Sequence, residues 1–323
     1  MISLSKILKI FIGMMVLGLC LGGWLYNSRV HSPAGEPGLR TVTDSTGTQV
    51  ELPAHPQRAV FLNVSNMDMY YAAGGEAVGR PSSYSMDEEL LAKTKDLPEV
   101  GMIHSPNVEA ILALKPDVVI GANVPSTVAL RDTLAQAGIP LYINQLDTYE
   151  DVMNTLDFYA ELTGQTEYAA AEKKKIQAAH DSVLEKARGK RTPRSLVVFG
   201  APGSFNMATK YSFSGNLVEQ LGGGNIADAD QSLTSAYVPL GMEYITRQDP
   251  EVILFISMVP NPETADAFKR DLQNNSAWQA VSAVRNNRIY FLQGRLFSIN
   301  PGSKIGEAME IVYKNLYEPE AVK

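Results

Sequence analysis

The feature that most restricts what this chain can fold into is a series of short apolar runs, each entered through a turn signal. Ala59 to Asn63 follows His55-Pro56, Asp117 to Gly121 follows Lys115-Pro116, and Leu141 to Asn144 follows Gly138-Ile139-Pro140. Ser195 to Gly200, Glu251 to Ile256 and Arg288 to Leu292 come later. The runs are β-branched and continuous, and helix-length segments separate them. A strand with one wet face alternates apolar and polar residues. A strand covered on both faces has no wet side, so its sequence stays apolar throughout. The expectation is an α/β chain of parallel strands with helices on both faces.

The chain also repeats itself. Asn107 to Ala122 set over Gly241 to Ile256, a shift of 134 residues, brings Glu109 onto Glu243, Ile111 onto Ile245, Pro116 onto Pro250, Asp117 onto Glu251 and Val118 onto Val252. Each segment reads as a short helix, a proline that stops it, and a buried strand. Proline stops a helix because it lacks the N–H donor and clashes with the preceding turn. Between the halves, Thr166 to Lys190 is rich in Ala, Glu, Lys and Leu, has no proline and reaches Gly189, which predicts one long helix. Its expected apolar stripe is Tyr168, Ala171, Ile176, Ala179, Val183 and Leu184, with Lys173, Lys174, Lys175 and His180 at the surface. The expected fold class is therefore α/β, two lobes of parallel sheet with flanking helices joined by one long helix. The lobes are placed at residues 41–165 and 191–323, and the connecting helix at 166–190.

The N-terminus sets the compartment. Residues 10–26, IFIGMMVLGLCLGGWLY, carry no charge over 17 positions, and Lys6 and Lys9 precede them. Residues 1–26 read as a signal or membrane anchor. Residues 27–40, polar and rich in Pro and Gly, read as a flexible linker. Cys20 is a candidate for lipidation, but Leu19 stands where a lipoprotein signal has a small residue, and the apolar run continues to Tyr26. A lipidated Cys20, an uncleaved anchor and an ordinary cleaved signal all stay open. Each exports the body, to the outer face of the cytoplasmic membrane or to the periplasm. Without Lys6, Lys9 and Arg29 the 323-residue chain has 25 basic against 35 acidic residues. That balance excludes nucleic acid as the main partner, since phosphate binding needs a basic stripe. One cysteine and four scattered histidines exclude a disulfide framework and a Cys- or His-rich metal cluster.

Several segments in order resemble a known family. They are TVTDSTGTQVELPAHPQ from Thr41, RAVFLN from Arg58, the paired NVEAILALKPDVVIG and QDPEVILFI units, and AWQAVSAVRNNRIYFL from Ala277. Together they resemble the extracytoplasmic solute-binding proteins that deliver iron complexes and corrinoids to ABC importers, over about residues 40 to 318. The resemblance implies a ligand cleft between the lobes, a membrane permease with its ATPase as partners, and a monomer. Ligands of α/β sheets bind at the carboxyl ends of the strands, where loops converge. The first lobe offers Val64 to Met69, Pro81 to Tyr84, Met102 to Pro106, Asn123 to Ser126 and Gln145 to Thr148. The second offers Ala201 to Phe213, Thr234 to Tyr237, Ser257 to Pro260 and Gly294 to Asn300. From these loops the expected ligand contacts are Met67, Tyr84, Met102, Asn123, Met207, Tyr211, Phe213, Tyr237 and Arg295. Such a set suits a large planar or partly apolar ligand with a polar rim.

Leu97 to Pro106 and Val252 to Pro260 resemble the haem-delivering branch of the family. There, a methionine in the first-lobe segment and a histidine after the second-lobe strand clamp the iron. Here His104 stands where the methionine would be, and Met258 where the histidine would be. The resemblance thus implies haem as the transported ligand, with His104 and Met258 as axial ligands in exchanged order. Met102 is a competing ligand, and Tyr84, Tyr211 and Tyr237 could supply a phenolate to ferric iron. A corrinoid or a ferric siderophore is the alternative cargo, and Arg80, Arg131, Arg247 and Arg295 are the arginines that an anionic siderophore would want. The resemblance also implies that Glu109 and Glu243 dock onto the permease. An exported enzyme is a distant alternative. Gly200 to Ser204 lacks the last glycine of GxSxG, no GxxxxGK[ST] loop occurs, and Gly222 to Asn225 reads as a helix stop.

Overall fold

The computed structural model describes residues 38–230, 234–258 and 262–318. The expected anchor, most of the linker, Cys20, Val259 and Pro260 lie outside the described residues. The strands are β1 (Leu39–Thr43), β2 (Gln49–Pro53), β3 (Ala59–Phe61), β4 (Ala77–Gly79), β5 (Gly101–Met102), β6 (Ser105–Pro106), β7 (Val118–Gly121) and β8 (Leu141–Ile143) in the first lobe. Those of the second are β9 (Arg194–Ala201), β10 (Ser204–Ala208), β11 (Gly224–Asn225), β12 (Tyr237–Pro239), β13 (Val252–Ser257) and β14 (Ile289–Leu292).

The first lobe is built on a parallel sheet in the order β4-β3-β7-β8. Ala59, Val60, Phe61, Val118, Val119 and Ile120 are all fully buried, which is why these runs are apolar without alternation. Each large side chain so buried contributes about 1.5–3 kcal/mol. The second sheet runs β12-β10-β9-β13-β14, with β11 beside the start of β9. Here β9, β11, β13 and β14 are parallel, and β10 runs antiparallel to both of its neighbours, β9 and β12. The segment read from sequence as a loop, Ala201 to Phe213, contains β10. Its residues SFNMA lack a β-branched run. A two-residue turn at Pro202-Gly203, with Gly203 at φ +78°, folds the strand back instead.

The repeat is visible in backbone geometry. Helix Val108–Ala113 leads into β7 and helix Met242–Gln248 into β13. Lys115 and Asp249, at equivalent positions, both take a left-handed conformation, φ 47° and 46°. The Asp117 carboxylate accepts backbone N–H groups of Gln57 (2.6 Å) and Arg58 (3.0 Å), while the Arg58 guanidinium donates to the carbonyls of Leu114 and Lys115. Glu251 likewise accepts the Arg194 N–H (3.1 Å), and Arg194 donates to the carbonyls of Gln248 and Asp249. In both halves an arginine closes the negative end of the helix before the strand.

The connecting helix is Thr166–Ala187, with Ala169, Ile176 and Val183 buried. That seven-residue spacing gives a narrower stripe than expected, and Tyr168 is largely exposed. The helix packs on Tyr149–Thr163 of the first lobe and on Ile305–Tyr317 of the second. Lys173 pairs with Asp157 (2.6 Å) and Lys186 with Glu310 (2.8 Å), one on each side. His180 is not the surface residue expected, since its side chain is only 12% exposed. Its ring stacks on Tyr149 at 3.9 Å and its Nε2 lies 2.8 Å from Gln220 Oε1, so it bridges the two lobes.

A second seam joins the lobes directly. Ser65 on helix Val64–Ala72 donates to the Asn300 carbonyl, and the Asp68 carboxylate accepts the Ser303 N–H at 2.6 Å. Lys304 approaches Glu89 at 3.4 Å and Asp87 at 3.9 Å. Gly302 has φ +62°, and a Cβ there would run into the Asp68 carboxylate, so the seam requires glycine. The Asp68 carboxyl lies deep in the seam, with an edge reaching a small crevice, and its burial pushes the pKa up to about 6.

Candidate functional site

A cavity of about 710 Å³ opens between the carboxyl ends of the two sheets. It falls in the range of small-molecule sites. Its walls come from the segments that follow β3 (Leu62 to Ser65), β4 (Pro81 to Ser85), β7 (Ala122 to Val124) and β8 (Asn144 to Asp147). The second lobe contributes Phe199, Phe213, Ala236, Tyr237 and Met258, and the segment Phe297 to Asn300. The rings of Phe199 and Tyr237 lie 4.7 Å apart and form an aromatic face.

His104 and Met258 both line this cavity, one from each lobe. His104 sits at the tip of the β5–β6 hairpin. Gly101, at φ +91°, leaves no room for a Cβ beside the Ser105 carbonyl and the Asn107 N–H, which makes the tight turn possible. The hairpin is fastened on two sides, by Ser82 N–H to the Gly101 carbonyl (2.9 Å) and by Ser126 Oγ to the Ile103 carbonyl (2.7 Å). Met258 follows the central strand β13, and its N–H donates to the Gly200 carbonyl at 2.8 Å.

Tyr84, Met102, Asn123, Phe213 and Tyr237 also line the cavity. Four expected contacts do not. Met67 is fully buried and faces the first-lobe core, because its helix turns that side toward the sheet. Met207 on β10 packs with Leu196, Val198 and Phe255 in the second-lobe core. Tyr211 lies within the turn from Thr209 to Ser212, with the Lys210 ammonium over its ring, outside the cavity. Arg295 borders the small crevice beside the cavity and is held by Glu307 at 2.9 Å. Arg80, Arg131 and Arg247 are elsewhere too. Arg80 pairs with Glu99 (2.6 Å), Arg131 with Asp44 (2.5 Å), and Arg247 lies over the Tyr244 ring.

Sequence reasoning missed the polar floor. Asn66 donates to Asn63 Oδ1 and to the Asn144 carbonyl, both at 2.9 Å, and its own Oδ1 accepts from Asn144 (2.8 Å) and Tyr159 (2.9 Å). Asn144 also donates to Thr155 at 3.0 Å. This buried network fixes the loops after β3 and β8, and burial holds the Tyr159 phenol well above its usual range. These residues are scattered from 63 to 159, so no local spacing in the sequence groups them. Beside the floor, Asn300 leaves its Nδ2 buried without an acceptor. Asp147 lines the cavity, accepts from Gln145 Nε2 at 2.7 Å, and has its pKa raised by burial. Desolvation, with a contribution from Asp147, pushes the Tyr237 phenol up to about 12.

Two α/β lobes, a long connecting helix and a cleft at the strand ends describe a solute carrier. The family model for "Periplasmic binding protein" matches residues 60–296. The chain belongs to this family. Among relatives of the binding protein is the high-affinity heme uptake system protein IsdE of Staphylococcus aureus (strain MRSA252), 27% identical over 246 residues, 75% of this chain and 80% of that protein. The crystal structure of S. aureus IsdE complexed with heme superposes with TM-score 0.72 at 25% identity, covering 81% of this chain and 99% of that one. An ABC transporter substrate-binding protein from Listeria monocytogenes EGD-e gives TM-score 0.73 at 25% identity, covering 82% and 99%. S. aureus SirA complexed with staphyloferrin B, at 19% identity and TM-score 0.71 over 86% and 98%, shares the fold. The binding protein is thus a solute-binding protein and not an enzyme. Among the described residues no helix is long and apolar enough to cross a membrane.

Proposed function

We propose that this protein is the substrate-binding component of an ABC importer for iron complexes, and that its cargo is haem, captured outside the cytoplasmic membrane and handed to a permease. The single observation that carries the reading is the pair His104 and Met258, contributed by different lobes to one cavity with aromatic and polar walls. An imidazole and a thioether approaching from two sides suit the two axial positions of haem iron, and the aromatic face of Phe199 and Tyr237 suits a flat macrocycle. The relatedness to IsdE supports the same reading.

Titrating the purified protein with ferric haem tests it. The expected result is saturable one-to-one binding with a shifted Soret band. His104→Ala and Met258→Ala should each change the visible spectrum and weaken binding about tenfold or more. Spectra and affinities unmoved by both substitutions would refute the ligand pair.

Glu109 and Glu243 extend the proposal to the membrane partner. Both are exposed at the second position of matched helices and carry no ion pair among the described residues. As a pair of free carboxylates, one per lobe, they suit docking onto basic residues of a permease. The membrane tether is proposed to be the N-terminal segment, with Cys20 as its lipidation candidate.

A further inference from the structure

The charge of the cavity carries an inference about which iron complexes it admits. Among the described lining residues there is no lysine or arginine. The arginines that sequence offered for holding an anion are committed elsewhere, Arg80 to Glu99, Arg131 to Asp44 and Arg295 to Glu307. The wall does contain a carboxylate, Asp147. It is anchored at Oδ1 by Gln145, while its backbone N–H is held by Asp151 Oδ2 at 3.0 Å, so it stays in the wall when the cavity fills. Its field reaches across to Tyr237 on the other lobe. The remaining polar lining is His104, the phenols of Tyr84 and Tyr237, and serine, asparagine and glutamine side chains.

We propose that Asp147 makes the cavity a charge filter, one that admits a metal complex with a neutral or positive core and rejects ferric chelates whose iron-binding oxygens are themselves anionic. The inference deepens the haem reading and rests on it for the identity of the cargo. In ferric haem the macrocycle and its metal carry a positive charge, and the negative charge sits on side arms that can project toward solvent. In a ferric tris-catecholate, negative charge surrounds the metal on all sides. Placing such a complex against Asp147 sets like charges together in a partly desolvated space, with no lysine or arginine among the described lining residues to offset them.

The experiment uses the full chain in detergent and two probes, ferric haem and a ferric tris-catecholate chelate. Affinities are measured by equilibrium dialysis for the native protein and for Asp147→Asn, Asp147→Lys and Asp147→Glu, each checked for fold by circular dichroism. The readout is the ratio of the two affinities. Asp147→Asn is expected to shift it toward the chelate about tenfold, Asp147→Lys further, and Asp147→Glu little, with the shifts shrinking in high salt. A ratio unmoved by Asn and Lys, in variants that remain folded, would overturn the filter. So would native protein that holds the chelate as tightly as haem. If native protein binds neither probe but Asp147→Asn or Asp147→Lys gains the chelate, the haem reading falls and the filter stands.

Discussion

Asp68 shows how one residue couples pH to the joint between the lobes. Its carboxyl faces the Ser303 N–H, Lys304 and Asp87, and its pKa lies near 6, above the ordinary 3.8. The folded state therefore holds this proton more tightly than the unfolded chain. The stability the group contributes is full below about pH 3.8 and is lost as pH rises through about 6. Asp68→Asn should flatten that part of the stability profile, as urea melts between pH 4 and 7 can test. Gly302→Ala should destabilise the protein by about 1–3 kcal/mol, because it adds a strained left-handed residue and a clash with Asp68. Equilibrium unfolding reads this directly. Neither contact was legible in sequence, since residues 68 and 302 meet only once both lobes exist. Met67 and Met207 were misplaced for a related reason. A methionine near a strand end packs equally well into core or cleft, and only the facing of its own element decides.

At the scale of elements, legibility followed the physics of burial. Continuous apolar runs announced β3, β7, β9 and β13 because both faces are covered. β10 escaped because its register is imposed by the Pro202-Gly203 turn and not by its own residues. In sequence the β5–β6 hairpin reads only as a loop with His104 in it, and under the proposed ligand role its anchoring would fix where His104 sits. Removing the Ser126 hydroxyl frees the tip from the helix Pro125–Val128 beside it. Ser126→Ala should lower haem affinity about threefold to tenfold and leave the Soret position close to native, a result that separates positioning from ligation in a haem titration. Asn66→Ala removes the hub of the polar floor and strands several buried partners, so a loss of about 2–4 kcal/mol is expected from thermal or urea unfolding.

At the scale of the molecule, the repeat, the connecting helix and the seam act together. The matched arginine clips tie the helix to the central strand in each lobe, and the helix Thr166–Ala187 packs on both lobes. Closure on ligand should therefore be small, and solution scattering should show nearly the same radius of gyration with and without haem. Reversing the two exposed carboxylates, Glu109→Lys with Glu243→Lys, should abolish uptake in cells while haem titration of the double variant stays normal. Lost titration would contradict the docking role. The seam of Ser65, Asp68, Asn300 and Ser303 adds a consequence for traffic. A carrier whose outline barely alters offers the same face full or empty, so vacant copies would queue at the dock, and overproducing the protein beyond the cargo supply should slow import.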